Sequence, residues 1–190
     1  MAVSALRGRL TPQGVNQADI VQAIENLNSI VNALYPAANL SLQGGVLPVL
    51  PASTVACGSA LTLTTSHSRR LVLLDTATGS VATLPSATGS GNVYAFLVTV
   101  TATSNSHVIK VGNASDEMRG YVIQDSDTAT APNTWWAADN DDTITLNRTT
   151  SGLAAQGEYF ELVDGATNHY FVRGYSQANG TEITPFSATV

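Results

Sequence analysis

The chain has 190 residues, of which 44% are hydrophobic and only 12% are charged, and its formal net charge is −6. Its eight basic residues include a single lysine and form no basic stripe, which disfavours binding to nucleic acid or to a membrane surface. The one cysteine excludes an intrachain disulfide, and no apolar run reaches the roughly 18 residues of a membrane-spanning helix. A charged fraction far below the typical value of about 25% suggests that much of the surface is covered in the working state.

An N-terminal arm is predicted over residues 1–16, which show little periodicity and lack the apolar core of a secretion signal. Arg7 and Arg9 are the only charged residues of this arm. Two states suit such a segment: a disordered terminus, or an arm that becomes ordered against an acidic groove of a partner.

A helix is predicted over residues 17–35. Asn16 suits the N-cap, Asp19 suits the first turn, and the Tyr35-Pro36 pair ends the helix. Apolar residues recur at alternating spacings of four and three, which is typical of a heptad seam. The seam residues are Ile20, Ile24, Leu27, Val31 and Leu34. Because two heptads are marginal in water, the seam needs a cover, either the β-domain of the same chain or the helices of other copies at a shared axis.

A linker rich in proline and glycine is predicted over residues 36–60, after the N-terminal region 1–35. Its apolar residues are Val46, Leu47, Val49 and Leu50. Pro48 and Pro51 interrupt this run and remove backbone donors that a strand would need. We therefore expect an extended segment that lies over an apolar surface.

A mainly β domain is predicted over residues 61–190, where short alternating or apolar runs are separated by turn residues. No helical pattern recurs between these runs, so we expect an antiparallel sandwich or a jelly-roll-like fold instead of an α/β fold. The predicted strands are residues 61–64, 70–75, 81–85, 92–101, 107–111, 120–123, 142–146, 159–163, 169–174 and 183–186, with a hairpin loop at 164–168.

Motifs for catalysis or for metal binding are missing from the sequence. No pattern ties His67, His107 or His169 to a serine or cysteine nucleophile, and no phosphate-binding glycine loop occurs. The carboxylate clusters at 125–127 and 139–142 lack the closing glutamate of a calcium loop. We therefore predict a protein that is not an enzyme and that holds no metal and no cofactor.

Two adjacent tryptophans, Trp135 and Trp136, stand close to Asp139. Exposed aromatic rings beside carboxylates can bind glycans, so these residues form a candidate glycan patch. In the other interpretation, one tryptophan fills the core and the other packs at a subunit contact, since tryptophan is enriched in both settings.

Several short segments carry a resemblance to a known class of protein. They read LLD-x-A-x-G at 73–79, LP-x-A-x-G-x-G at 84–91, VYAF at 93–96 and GEYFELVD at 157–164. With these segments, the chain from Arg70 to Phe186 resembles small β-domain virion proteins of tailed bacteriophages, especially capsid decoration (cement) and head-fibre proteins. The resemblance implies a homotrimer on the outer surface of the capsid, made in the host cytoplasm, that stabilises the shell.

The N-terminal region would then contact the major capsid protein. The expected contact residues are Arg7, Arg9, Val46, Leu47, Val49 and Leu50. Related β-domains also occur in tail and fibre proteins, so a tail-fibre or host-glycan-binding protein is the alternative.

Overall fold

A computed structural model of the protein describes residues 21–27, 29, 53–126, 131–152 and 156–190. The chain divides into two compact units, Met1–Pro51 and Ala52–Val190. In the first unit residues 21–27 are helical, as the heptad pattern predicts. The N-terminal arm, most of the seam and the apolar run 46–50 lie outside the described residues.

The second unit is a β-domain, and its described part contains twelve strands and one short 3₁₀ helix, Thr65–His67. The strands are β1 (Thr54–Ala56), β2 (Ala60–Thr62), β3 (Leu71–Leu74), β4 (Val81–Thr83), β5 (Val93–Val98), β6 (His107–Lys110), β7 (Glu117–Ser126), β8 (Asn133–Trp136), β9 (Thr143–Leu146), β10 (Tyr159–Ala166), β11 (His169–Ala178) and β12 (Phe186–Ser187).

These strands form two sheets around one core. The seven-stranded sheet has the order β1-β3-β5-β10-β11-β7-β8, and the five-stranded sheet has the order β12-β9-β6-β4-β2. The mainly β, two-sheet architecture predicted from the sequence is confirmed.

Strand direction is where the sheets differ from the predicted antiparallel pairing. From β1 to β6 the chain changes sheet with every strand, so that β1, β3 and β5 are parallel, as are β2, β4 and β6. Each strand of one sheet thus serves as the crossover connection that parallel neighbours in the other sheet require. The later strands pair mostly antiparallel, apart from the long parallel pair β7 and β11, and both sheets are therefore mixed.

Two boundaries and one strand differ from the sequence prediction. The β-domain begins at Ala52, because β1 already pairs with β3 inside the segment predicted as a linker. Residues 133–136 form β8, which was not predicted. The predicted loop at 164–168 shrinks to a turn at Thr167-Asn168, where Asn168 adopts the left-handed conformation with φ 63°.

Two tyrosines meet in the core between the sheets. The rings of Tyr94 and Tyr170 lie edge to face, with their centroids 6.2 Å apart, and both side chains are fully buried. The Tyr170 hydroxyl donates a hydrogen bond of 2.8 Å to the Pro85 carbonyl. The Tyr94 hydroxyl has no hydrogen-bond partner among the described residues.

This difference predicts opposite effects for the same substitution. Tyr170→Phe loses a made hydrogen bond and leaves the Pro85 carbonyl unpaired, so we expect it to lower the free energy of unfolding by about 1–2 kcal/mol. Tyr94→Phe removes an unpaired buried hydroxyl and should leave stability unchanged or raise it by up to about 1 kcal/mol. Urea unfolding of both variants measures this, and an equal loss in the two would contradict it.

Candidate interaction surface

Buried titratable groups are the first place to look for chemistry, and His107 is fully buried. Its Nδ1 accepts a hydrogen bond of 2.8 Å from the Ser80 backbone N–H, so its Nε2 carries the proton and donates to the Val100 carbonyl at 2.8 Å. Burial lowers the pKa of His107 below its usual value, although the Val100 carbonyl and the charge of Asp75 act in the opposite direction. The ring is thus a neutral bridge between two backbone segments.

Asp164 is a buried carboxylate on β10 that holds the loop before β5. It accepts hydrogen bonds from the backbone N–H groups of Thr88, Gly89 and Ser90 at 2.9, 2.7 and 3.2 Å. The Ser90 hydroxyl donates a further bond of 2.6 Å, and the Thr88 hydroxyl donates one of 3.2 Å. Burial by itself raises the pKa of Asp164, but the hydrogen bonds from Ser90, Gly89 and Thr88 outweigh it and lower the pKa below 3.8.

Two further buried carboxylates act in the same way. Asp116 accepts a hydrogen bond of 3.0 Å from the Ala87 N–H and one of 2.7 Å from the Asn113 side chain. Asp142 accepts bonds from the N–H groups of Thr189 and Val190 at 2.8 and 3.1 Å and fixes the C-terminal residues. These carboxylates are occupied by backbone donors, and the described residues contain no group of three or more His, Cys, Asp or Glu side chains placed to hold a metal ion.

The hydrogen bonds from residues 88–90 to the Asp164 carboxylate predict a loss of stability in acid. Because the folded-state pKa lies below the unfolded one, the carboxylate stabilises the fold above about pH 4, and this contribution is lost as the pH falls through the folded-state pKa. Asp164→Asn should cost about 2–3 kcal/mol near pH 7 and should flatten the fall in stability as the pH drops below about 4. The measurement is urea unfolding against pH.

The matched control is Asp139→Asn, since the Asp139 side chain is 89% exposed. An exposed ion pair contributes little, so we expect a change within about 0.5 kcal/mol. If Asp164→Asn has as small an effect as the control, the stabilising role of the Asp164 carboxylate is wrong.

The outer face of the five-stranded sheet is the ordinary solvent face of a sandwich. Its outward residues are small or hydroxyl-bearing apart from one lysine, and none is aromatic. They are Ala60, Thr62, Val81, Thr83, Val108, Lys110, Thr145 and Ser187. Five of these eight residues are polar and the other three are alanine or valine, which fits a sheet face that is exposed to solvent.

The outer face of the seven-stranded sheet differs, because the uncharged row that crosses it from edge to edge contains large aliphatic and aromatic side chains. We call it the apolar row. In sheet order its residues are Ala56, Leu73, Leu97, Tyr159, Tyr175, Ile123 and Thr134. Seven large apolar side chains are exposed in the described part of the β-domain, and five lie on this face. Those five are Ile123, Trp136, Tyr159, Phe171 and Tyr175.

Most charges on this face form ion pairs, although Asp125 on β7 also points outward and Arg69 and Arg70 lie at one end of the face. Arg173 on β11 and Glu161 on β10 stand directly opposite each other, with Nη2 and Oε1 2.6 Å apart. Nearer β8, the Arg119 guanidinium lies 2.5 Å from both the Glu117 and the Asp139 carboxylates. The face is therefore apolar with two local ion-pair groups, and unlike a solvent face it has the composition of a protein interface.

A shallow depression of about 430 Å³ lies at one end of this face. Its lining residues are Arg69, Arg70, Leu71, Val93, Ala95, Tyr159 and Glu161. Arg69 takes the left-handed conformation with φ 61°, where glycine or asparagine fits more easily, so its backbone carries some strain.

The two tryptophans of the candidate glycan patch point to opposite sides of β8. Trp135 packs against the core, and its Nε1 donates a hydrogen bond of 2.6 Å to the Gln124 side chain. Trp136 is 68% exposed on the outer face, with its ring tilted against Tyr121 at a centroid distance of 5.1 Å. Trp135 therefore does not belong to an exposed patch, whereas Trp136 and the exposed Asp139 do lie at the surface.

Of the predicted oligomerisation residues, the structure describes Ile24 and Leu27. Both are exposed within the helical segment 21–27, at 53% and 57%, and Val21 beside them is exposed as well. Ile20, Val31 and Leu34 lie outside the described residues, as do all six predicted capsid-contact residues. The seam and the capsid contact stay predictions.

The apolar row was missed in the sequence, although a signal for it exists. Strands β3 and β5 read LVLL and VYAFLV, which are apolar at every position and not at alternate ones. Such runs are typical of strands that are covered on both faces. The sequence thus indicates that a second cover exists over this sheet, beyond the core.

Comparison with protein-family models, with curated proteins and with solved structures finds no match to the chain. Within the described ranges, no helix has the length and apolar character needed to span a membrane.

Proposed function

We propose that the protein is a non-enzymatic structural component of a bacteriophage virion that binds the outer surface of the capsid as a trimer and stabilises the shell. The observation that carries the proposal is the apolar outer face of the seven-stranded sheet, because it indicates a protein that assembles with other chains, while the capsid contact itself is assigned to residues 1–51. A face with this many exposed aromatic and aliphatic side chains marks an interaction surface in a soluble protein. The buried carboxylates and His107, engaged by backbone groups, support a structural role.

In this proposal the two units of the chain have different roles. Residues 1–51 contact the major capsid protein through the arm and the apolar run 46–50, and the helix joins copies of the chain. The exposure of Val21, Ile24 and Leu27 within the helical segment supports a seam that a partner covers. The β-domain then lies outward on the particle.

Binding of this kind stabilises a shell without any chemical step. A protein that binds only the assembled state raises the apparent stability of that state by mass action, and small gains at many sites add up over a particle. Neighbouring capsid subunits are then held together against the outward pressure of the packaged genome.

Stripped particles test this role directly. We expect virions without the protein to keep their shape but to release DNA at lower temperature and after milder osmotic shock, and purified protein added back should restore their tolerance. Release of DNA is followed with an intercalating dye during heating. Equal tolerance of stripped, complete and reconstituted particles would refute the stabilising role.

The helix seam makes a second prediction about assembly. Ile24→Asp with Leu27→Asp places charges in the seam and should convert a trimer into smaller species, as measured by analytical ultracentrifugation. The control pair is Gln22→Asp with Asn26→Asp, which adds the same charge to the polar side of the same helical segment. A monomeric unaltered protein, or equal losses in both pairs, would rule out the seam as the trimer contact.

A second candidate function, a tail-fibre or host-glycan-binding protein, is favoured by the surface around Trp136. Its exposed ring, the neighbouring Tyr121 and the Arg119–Asp139 ion pair combine a stacking surface with polar groups. Labelling on virions separates the candidates, because a decoration protein covers the head and a fibre protein marks the tail. Host-glycan binding that is lost in Trp136→Ala would favour the second.

A further inference from the structure

We propose that two copies of the β-domain pack the outer faces of their seven-stranded sheets together, about a two-fold axis that runs along the strands between β10 and β11. The occupant of the apolar face is thus a second copy of this chain. The pairing goes beyond the proposed function, since it rests on the sheet alone and holds wherever the protein works.

The register of β10 and β11 suggests where the axis lies. These strands stand at or next to the middle of the sheet, and three outward pairs face each other across them. The pairs are Tyr159 with Tyr175, Glu161 with Arg173, and Val163 with Phe171. A two-fold axis between the strands exchanges β10 and β11, so each residue of a pair lies over its pair mate in the second copy.

Charge complementarity favours this axis. Glu161 of each copy would lie over Arg173 of the other, so the two intramolecular ion pairs become a group of four alternating charges. The Arg173 side chain is 69% exposed in one copy and keeps free donors for a second carboxylate. Axes displaced by one strand lose this arrangement. The proposed axis places Arg119 over Val93, where Arg119 keeps its ion pairs with Glu117 and Asp139.

Side-chain size is also complementary on the flanking strands. The same axis brings β5 over β7, with Leu97 over Ile123 and the small Ala95 over the large Tyr121. Further out it brings β3 over β8, with Leu71 over Trp136, the most exposed aromatic residue of the β-domain. Ala95 thus leaves room for the Tyr121 ring, and the other two contacts bring apolar side chains together between the packed sheets.

The area of the face is large enough for a stable pair. Under this axis β1 has no strand over it and the other six strands overlap, so five spacings of about 4.8 Å give a width of about 24 Å. Three outward residues along each central strand give a height of about 20 Å. The projected area of roughly 500 Å² corresponds to a larger accessible area, near the lower end of the ~600–1,000 Å² per partner of a standard interface. Sheet twist separates the outermost strands at the usual crossing of about 30°, so the central strands carry the contact.

A cross-linking experiment tests the axis in the full-length chain. Leu97 and Ile123 are three strand spacings apart in one copy, about 14 Å, but they lie over each other between copies. The double variant Leu97→Cys with Ile123→Cys should therefore give a covalent dimer with a bismaleimide about 10 Å long. Neither single variant should form a covalent dimer, because the two-fold axis separates the two copies of the same cysteine by about three strand spacings.

The native thiol does not interfere with this experiment. Cys57 is buried, and burial together with the nearby Asp75 raises its pKa to about 11, so it is a poor nucleophile near neutral pH. The matched control is Ala60→Cys with Thr145→Cys, which are also three spacings apart in one row of the five-stranded sheet. Dimers from the control pair or from a single variant, or no dimer from the test pair, would overturn the proposal.

Charge reversal gives an independent measurement by sedimentation. Glu161→Arg or Arg173→Glu alone sets like charges against each other across the axis and should weaken dimerisation at least about tenfold, whereas the double variant restores alternating charges and recovers most of the affinity. Lys110→Glu, a charge reversal on the opposite sheet, should leave dimerisation unchanged. Circular dichroism confirms that each variant is folded. A double variant as weak as the singles would contradict the reciprocal pairing.

Discussion

The centre of the β-domain depends on hydrogen bonds from backbone N–H groups to one buried carboxylate. Asp164 lies on β10, the middle strand of the seven-stranded sheet, and gathers the N–H groups of residues 88–90 around its side chain. The backbone of Asp164 also pairs with Gly91 and Asn92, so the same residue fixes the entry into β5. Since β5 and β10 carry much of both faces of the sheet, the inner core and the outer face depend on this one anchoring point. The chain has few charged residues, and several of its carboxylates accept hydrogen bonds from backbone N–H groups and so fix loops in place.

Local pattern was enough to predict most strands, because alternation along a strand is a property of neighbouring residues. It could not predict that β1 to β6 alternate between sheets, since parallel and antiparallel neighbours have the same local pattern. Strand β8 was not predicted, because its two tryptophans, Trp135 and Trp136, were interpreted as one patch. In a strand, neighbouring side chains lie on opposite faces, so the two rings are separated. The apolar row joins one residue from each of seven strands, and only the strand order brings them together.

The two proposed contacts have different symmetry, and their combination has a geometric meaning. A helix seam joins three copies around one axis, whereas paired sheet faces join two copies around another. A protein with both contacts belongs to a trimer and to a pair at once. The angle between the two axes decides whether the copies close into a hexamer or extend into a larger array.

Because β1 to β6 alternate between the sheets, one side of the domain is built from repeated pairs of strands. Each pair of consecutive strands forms one coil of chain that stacks on the next through parallel ladders, and the first coil ends the stack with two strands of three residues each. Short terminal strands limit unwanted edge-to-edge pairing. Each coil contributes one strand to each sheet, so a coil added or removed at this end would change the width of both sheets together while β7 to β12 keep their pairing.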